Sequence, residues 1–236
     1  MCLLGLILIS ISSTMQRSAI SFMYAFQDPM DEAKTTNKHY NIGYDIPGFT
    51  PEKFDYIAGD AQTIIYAFLV LFLGSASDMF NRKNVILGTC FGWSMATYLS
   101  SFALTFNQIF ILRCLKGLFM AVSGPCSYSL ITDWVPPENR LTAYSIYSLG
   151  VQFGGPFASF NSQLIDWLGW RATFQYNALI GFIILGLCIV ILDEPEKGRF
   201  DIAHSVVNNP EESMKNDSIG YALSEAPTRK RLDIKQ

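Results

Sequence analysis

The sequence predicts an all-α membrane protein of six transmembrane helices, and three observations carry that expectation. Half of the 236 residues are hydrophobic and 14% are aromatic, while only 16% are charged, well off the balance of a soluble domain. Charge is segregated along the chain: residues 57 to 193 are mostly apolar, and many of the acids and bases gather from Glu194 to Gln236. Apolar runs long enough to cross a bilayer core, which takes roughly 20 helical residues, fall near 2–25, 57–79, 84–105, 108–133, 140–165 and 170–193.

The first run opens with "CLLGLILISISSTM", whose apolar core has the length of a signal peptide but lacks the positive segment that precedes one. Apolar character resumes after Arg17 in "SAISFMYAF", so a membrane span is the favoured reading. Residues 27–56 follow as a polar, non-cytoplasmic loop broken by Pro29, Pro47, Gly48 and Pro51. The remaining links are short: Asn81 to Lys83, Thr105 to Gln108, "VPPENR" and "LGWR". Links of that length make successive helices antiparallel neighbours. Arg82, Lys83, Arg140, Lys197 and Arg199 then share one side, which should be cytoplasmic. Lys34, Lys38, Lys53 and Arg171 fall on the other, so the bias is modest. Both termini are expected in the cytoplasm, and residues 194–236 are too polar to fold alone and read as a flexible tail.

Several function classes drop out. A net charge of −3 with no basic stripe interleaved with aromatics gives no footprint for nucleic acid. Cys2, Cys90, Cys114, Cys126 and Cys188 lie in apolar runs without C-x-x-C spacing and read as buried free thiols. His39 and His204 stand alone in polar segments, so no metal or other cofactor is expected. The chain has no H-E-x-x-H, no G-x-S-x-G and no paired intramembrane carboxylates, so it is not expected to be an enzyme.

The stretch "GSASDMFNRKNVI" packs Asp78, Arg82 and Lys83 between two oily runs. By spacing alone it reads as a solvated turn. Gly74 followed by Asp78, Arg82 and Lys83 nonetheless resembles the G-x-x-x-D-R/K-x-G-R-R/K signature of the major facilitator superfamily, and lies, as there, between the second and third helices. A glycine one turn before the acid lets another helix approach closely. The resemblance implies that Asp78 meets the positive end of a helix in the other half of a transporter and holds a cytoplasmic gate. It extends to Asp133 and Arg140 in "DWVPPENR", which would join Arg82 in a charge cluster. It extends also to "RCLKG" (Arg113 to Gly117), to "GVQFGGP" (Gly150 to Pro156), and to "GWRATF". Gly117, Gly150, Gly154 and Pro156 are the implied helix-packing positions. "DMFNRK", "WSMATYLSSF" and "EPEKG" are most similar to the spinster-like branch. The implied fold is one half of a major facilitator fold, a 3+3 inverted repeat. The implied function is transport of a lysolipid, sphingoid lipid or other organic solute across a plasma or endolysosomal membrane.

Ionisable residues within a span are functional candidates by default, and Arg17, Arg113 and Lys116 qualify. Snorkelling to an interface is the competing role for Arg17 and Lys116. With Gln16 and Tyr24 they form the expected substrate-binding set, suited to an anionic head group or carboxylate. The sequence departs from its relatives at Gln16 and Met120, where the branch usually has acids, and at Met79, where it has a base. Loss of the two acids removes the usual proton carriers and leaves facilitated diffusion, another ion or loss of transport as the options. The chain also has one half of a two-half design. A truncated twelve-span protein, a half-transporter working as a homodimer, and a six-span partner-binding or regulatory subunit without transport all fit, truncation best. Expected partners are a small-molecule or lipid substrate, membrane lipid, and a second copy or a missing C-terminal half.

Overall fold

A computed structural model describes residues 2–23, 37, 39–76 and 81–192, apart from the side chains at 60, 61 and 73–76. All belong to one compact unit, Met1–Pro195. Tyr24, Asp78, Met79, most of the long loop's first part and the tail 194–236 lie outside the described residues.

Every described element is helical. Helix α1 is Cys2–Phe22, α2 is Ile42–Asp45, and α3 is Pro51–Asp55, which continues through a π-helical turn, Tyr56–Asp60, into α4, Ala61–Ala76. Then come α5, Arg82–Ser100, α6, Phe106–Trp134, a 3-10 turn, Pro137–Asn139, and α7, Arg140–Ile191. Starts are set by local chemistry. Asn81 accepts from the Asn84 amide, Thr50 accepts from the Lys53 amide with Pro51 at the first helical position, and Gln108 accepts from the amides of Leu104 and Thr105. Among the described residues, four stretches are long and apolar enough to cross a membrane: Cys2–Phe22, Pro51–Phe72, Phe106–Trp134 and Pro137–Ile191.

Helix α7 is folded back on itself. Gly169 has φ 83° and ψ 166°, a conformation that a side chain would resist. Eight residues to either side, Asn177 Nδ2 donates to Asn161 Oδ1 at 2.6 Å. Along a straight helix these residues would stand about 24 Å apart at 1.5 Å per residue. The limbs 140–168 and 170–191 therefore run side by side.

Two apolar clusters are separated by a polar layer. Along α1, Leu6 and Ile9 belong to the first cluster, buried Ser10, Ser12 and Gln16 follow, and Ala19, Ile20 and Met23 belong to the second. The other helices repeat the sequence of layers: α5 carries Ile86 and Trp93, then buried Ser94 and Thr97, and α6 carries Ile109, then Arg113 and Lys116, then Leu130 and Ile131. The second cluster also takes Ile42, Ile46, Phe49 and Phe54. Residues 42–54, read from sequence as part of a polar loop, thus carry a buried apolar stripe, and helix begins again at Pro51 rather than near 57. The physical reason is that a loop over a bundle end has an underside, and Ile and Phe between polar neighbours fill it. Large apolar side chains elsewhere face outward, among them Ile64, Phe68 and Leu71 of α4 and Trp167 of α7, as suits contact with lipid.

Candidate functional site

Helical periodicity builds the site. Ser10, Ser13, Thr14 and Arg17 recur at intervals of three and four and so form one stripe of α1. Gln62 and Tyr66 of α4, Met120, Ser123, Gly124 and Tyr128 of α6, and Tyr147 and Val151 of α7 face that stripe. Together they enclose a cavity of about 220 Å³. Its wall is rich in hydroxyl groups and, among the described residues, holds one exposed cation, Arg17, whose Nη2 donates to Thr63 Oγ1 at 3.4 Å.

Arg113 and Lys116 occupy a different place from the expected one. Both are buried in the protein and neither is among the residues of the cavity wall. Arg113 donates from Nη1 to Gln62 Oε1 at 3.1 Å, and from Nη1 and Nη2 to the Arg17 carbonyl at 3.3 and 3.4 Å. Lys116 Nζ donates to the Gln16 carbonyl at 2.7 Å. Gln16 is itself enclosed, donating to Ser12 Oγ at 3.2 Å and accepting from Thr97 Oγ1 at 2.8 Å. Among the described residues, no carboxylate pairs with Arg17, Arg113 or Lys116, and the buried Nε of Arg113 has no hydrogen-bond partner. Buried cations are ordinarily paired with an anion, and here backbone carbonyls and the Gln62 amide oxygen take that place.

Close approach positions these groups. A Cβ on Gly117 would lie 3.1 Å from the Gln62 carbonyl oxygen, so α4 packs against α6 where Gly117 has no side chain. Gly150 and Gly154 serve α1 likewise, with Ile7 and Ser10 against the first and Thr14 and Ile11 against the second. Pro156 lies inside the same limb, where it contributes no amide hydrogen to the helix ladder.

At one end of the bundle Arg82 donates to Asp133 Oδ2 and to the Ser129 carbonyl, the latter at 3.4 Å. Arg140 Nε donates to the Val135 carbonyl at 3.3 Å. Lys83 is half-buried on the first turn of α5. Gly74 lies in α4, and Asp78 falls outside the described residues.

Two features were not anticipated from sequence. The first is Gln62, a lone amide in an apolar run, and that isolation was the available signal. The second is Arg171 at the opposite end of the bundle. Its guanidinium donates to Asp45 Oδ2 at 2.9 Å, to the Ser101 carbonyl at 2.7 Å and to the Ala103 carbonyl at 3.0 Å, and lies over the Trp170 ring. The Trp170 amide donates to the His39 carbonyl at 3.1 Å. Asp45 between Ile42 and Ile46 was the only hint of that tie.

A family model described as Major Facilitator Superfamily matches residues 2–230. The chain is 30% identical over 164 residues to the probable galactarate/D-glucarate transporter GarP of Escherichia coli (strain K12), covering 64% of this chain and 36% of that protein. It is 28% identical over 128 residues to a gallate transporter of Pseudomonas putida, covering 54% and 28%. Among solved structures, a bacterial homolog of the human lysosomal transporter Spinster, inward-facing and unoccupied, superimposes with a TM-score of 0.65 at 21% identity, over 84% of this chain and 43% of that one. The chain thus spans less than half the length of the proteins it matches.

Proposed function

The chain belongs to the major facilitator superfamily, whose members are transporters and not enzymes, and on that premise we propose that it forms one half of a carrier for a small organic anion. The carrying observation is Arg17 on the wall of a hydroxyl-rich cavity, with no described carboxylate to pair it and with Arg113 and Lys116 buried away from that wall. Arg17 is the group that meets the solute. The transporters it resembles are named for galactarate, D-glucarate and gallate, all carboxylates bearing hydroxyls, and a wall of Ser, Thr and Tyr hydroxyls suits such a solute better than an acyl chain. Lipid, the class implied by the spinster-like resemblance, has less support from a cavity of about 220 Å³.

The reading includes six spans, since Pro137–Ile191 has the length to cross twice about Gly169 and α5 completes the count. Both termini then share the side that carries Arg82 and Arg140. Asp78, Arg82, Lys83, Asp133 and Arg140 form the cytoplasmic gate, Gly74 admitting the neighbouring helix. Alternating access rocks one six-helix half against another. A second copy or a C-terminal half supplies the other side.

Reconstitution of the full chain in vesicles, with radiolabelled galactarate outside, tests the proposal. Accumulation above protein-free vesicles, lost in Arg17→Ala, supports it. Equal accumulation by both proteins would remove Arg17 from the site. The alternative reading is a six-span partner-binding or regulatory subunit without transport activity. Binding to the wild type with no accumulation would select that reading.

A further inference from the structure

We propose that Gln62 is a second anion-binding donor in the cavity, turned toward the solute by Arg113, which acts as a positioning residue. The inference rests on the anion reading above and adds to it the group that works beside Arg17.

A primary amide has an accepting oxygen and a donating nitrogen, and which faces the cavity decides whether it attracts or repels an anion. Here the choice is chemically fixed. A guanidinium has only donors, so the face of Gln62 toward Arg113 Nη1, 3.1 Å away, must be Oε1. The amide nitrogen then points to Met120 Sδ at 3.0 Å, and both Gln62 and Met120 form cavity wall. A thioether is a weak acceptor and holds that nitrogen loosely. An incoming carboxylate displaces it at small cost and gains a charge-assisted hydrogen bond. Arg113, donating to Oε1 from behind the wall, also polarises the amide so that its N–H becomes a better donor.

The surrounding geometry keeps the amide in place. Gly117 lets the backbone at Gln62 close on α6. On the next residue, Thr63 Oγ1 accepts from Arg17, so the two donors, Arg17 and Gln62, stand on adjoining parts of one wall. Arg113 ties the pair together from behind, because it also donates to the Arg17 carbonyl. An oxyanion between Arg17 and Gln62 would meet donors from two helices, α1 and α4.

The test is calorimetric titration of the purified full chain with galactarate and with galactitol, the uncharged polyol of the same carbon chain. Expected in the wild type is a preference for galactarate. Gln62→Met removes the donor at nearly constant volume and should weaken galactarate about tenfold to a hundredfold while leaving galactitol nearly unchanged. Gln62→Glu gives Arg113 a carboxylate, so the fold should survive, and should reverse the preference. Arg113→Met should behave like Gln62→Met, and Arg113→Lys, which keeps a donor for Oε1, should recover part of the preference. A merely structural role would weaken both ligands together. If Gln62→Met keeps the wild-type preference, the role of Gln62 is overturned while the anion reading stands. If the wild type itself does not prefer galactarate, the anion reading falls and this inference with it.

Discussion

Arg82 and Asp133 each stand where their own helix repels them. Arg82 opens α5 at its positive end, and Asp133 sits in the last turn of α6 at its negative end. The pairing offsets both penalties, and with side chains only 13% and 8% exposed it is screened little by water. Asp133→Asn should therefore lose about 3 kcal/mol, the scale for removing one partner of a buried pair, read as a lowered melting temperature in detergent. Exchanging the charges, Arg82→Asp with Asp133→Arg, places each at the favourable end of its helix and should return most of that stability. If the pair works as a gate element, anion uptake will not return with it. Recovery of both would mean that the pair serves packing alone.

The contact of α1 with the limb 140–168 decides where Arg17 points, because Gly150 and Gly154 let the two backbones meet. A methyl at Gly154 would collide with Thr14, three residues from Arg17 on the same stripe. Gly154→Ala should cost about 1–3 kcal/mol as overpacking and weaken anion binding, since α1 must shift. Thr14→Gly in that background should recover part of both, while Thr14→Gly alone should not. A second element-scale prediction concerns the hairpin of α7. Gly169→Ala forces a side chain to φ 83° against His39 and should cost at least ~1–2 kcal/mol. Hydrogen exchange should then rise at the amide of Trp170, whose bond to the His39 carbonyl closes that corner.

What the sequence made legible follows from the range of each interaction. The break at "LGWR" is local and was legible in the apolar runs, Gly150 and Gly154 came through the resemblance, and the stripe that holds Arg17 went unread although its spacing is periodic. The pairing of Arg82 with Asp133 spans 51 residues and was foreseen only through the resemblance. The tie from Arg171 to Asp45 spans 126 residues, and although Arg171 lies in "GWRATF", neither that stretch nor the surroundings of Asp45 names the partner. Arg113 and Lys116 were read as cavity-facing because an intramembrane cation needs a reason. The reason found is a hydrogen bond to a backbone carbonyl of α1, an acceptor that every residue possesses and no sequence pattern marks.

At the scale of the whole molecule, Ile64, Phe68 and Leu71 recur along one face of α4 and are 66%, 62% and 75% exposed. Lipid can cover such a face, and so can another six-helix unit. Phe68→Cys, in a background whose native cysteines are replaced by serine, separates the two. Homodimerisation through α4 predicts an oxidant-induced crosslink at twice the 26.4 kDa chain mass, and lipid contact alone predicts none.

Topology follows from a related argument. Crossing by α5 and by both limbs of α7 would put Lys83, Glu138 and the end of α7 at Ile191 on one side, with Lys53 and Leu104 on the other. Single cysteines at these positions and at Gln236, in the same cysteine-free background, can be labelled with a membrane-impermeant maleimide in sealed vesicles of known orientation. Lys83→Cys, Glu138→Cys and Gln236→Cys should react together, from the side opposite to Lys53→Cys and Leu104→Cys. Each rival arrangement has its own signature. If α5 lay along the surface, Lys83→Cys and Leu104→Cys would react from the same side. If α7 crossed once, Glu138→Cys and Gln236→Cys would react from opposite sides. Labelling therefore tests the count of six without assuming any transport, and it decides whether Arg82 and Asp133 face the cytoplasm, as a gate there requires.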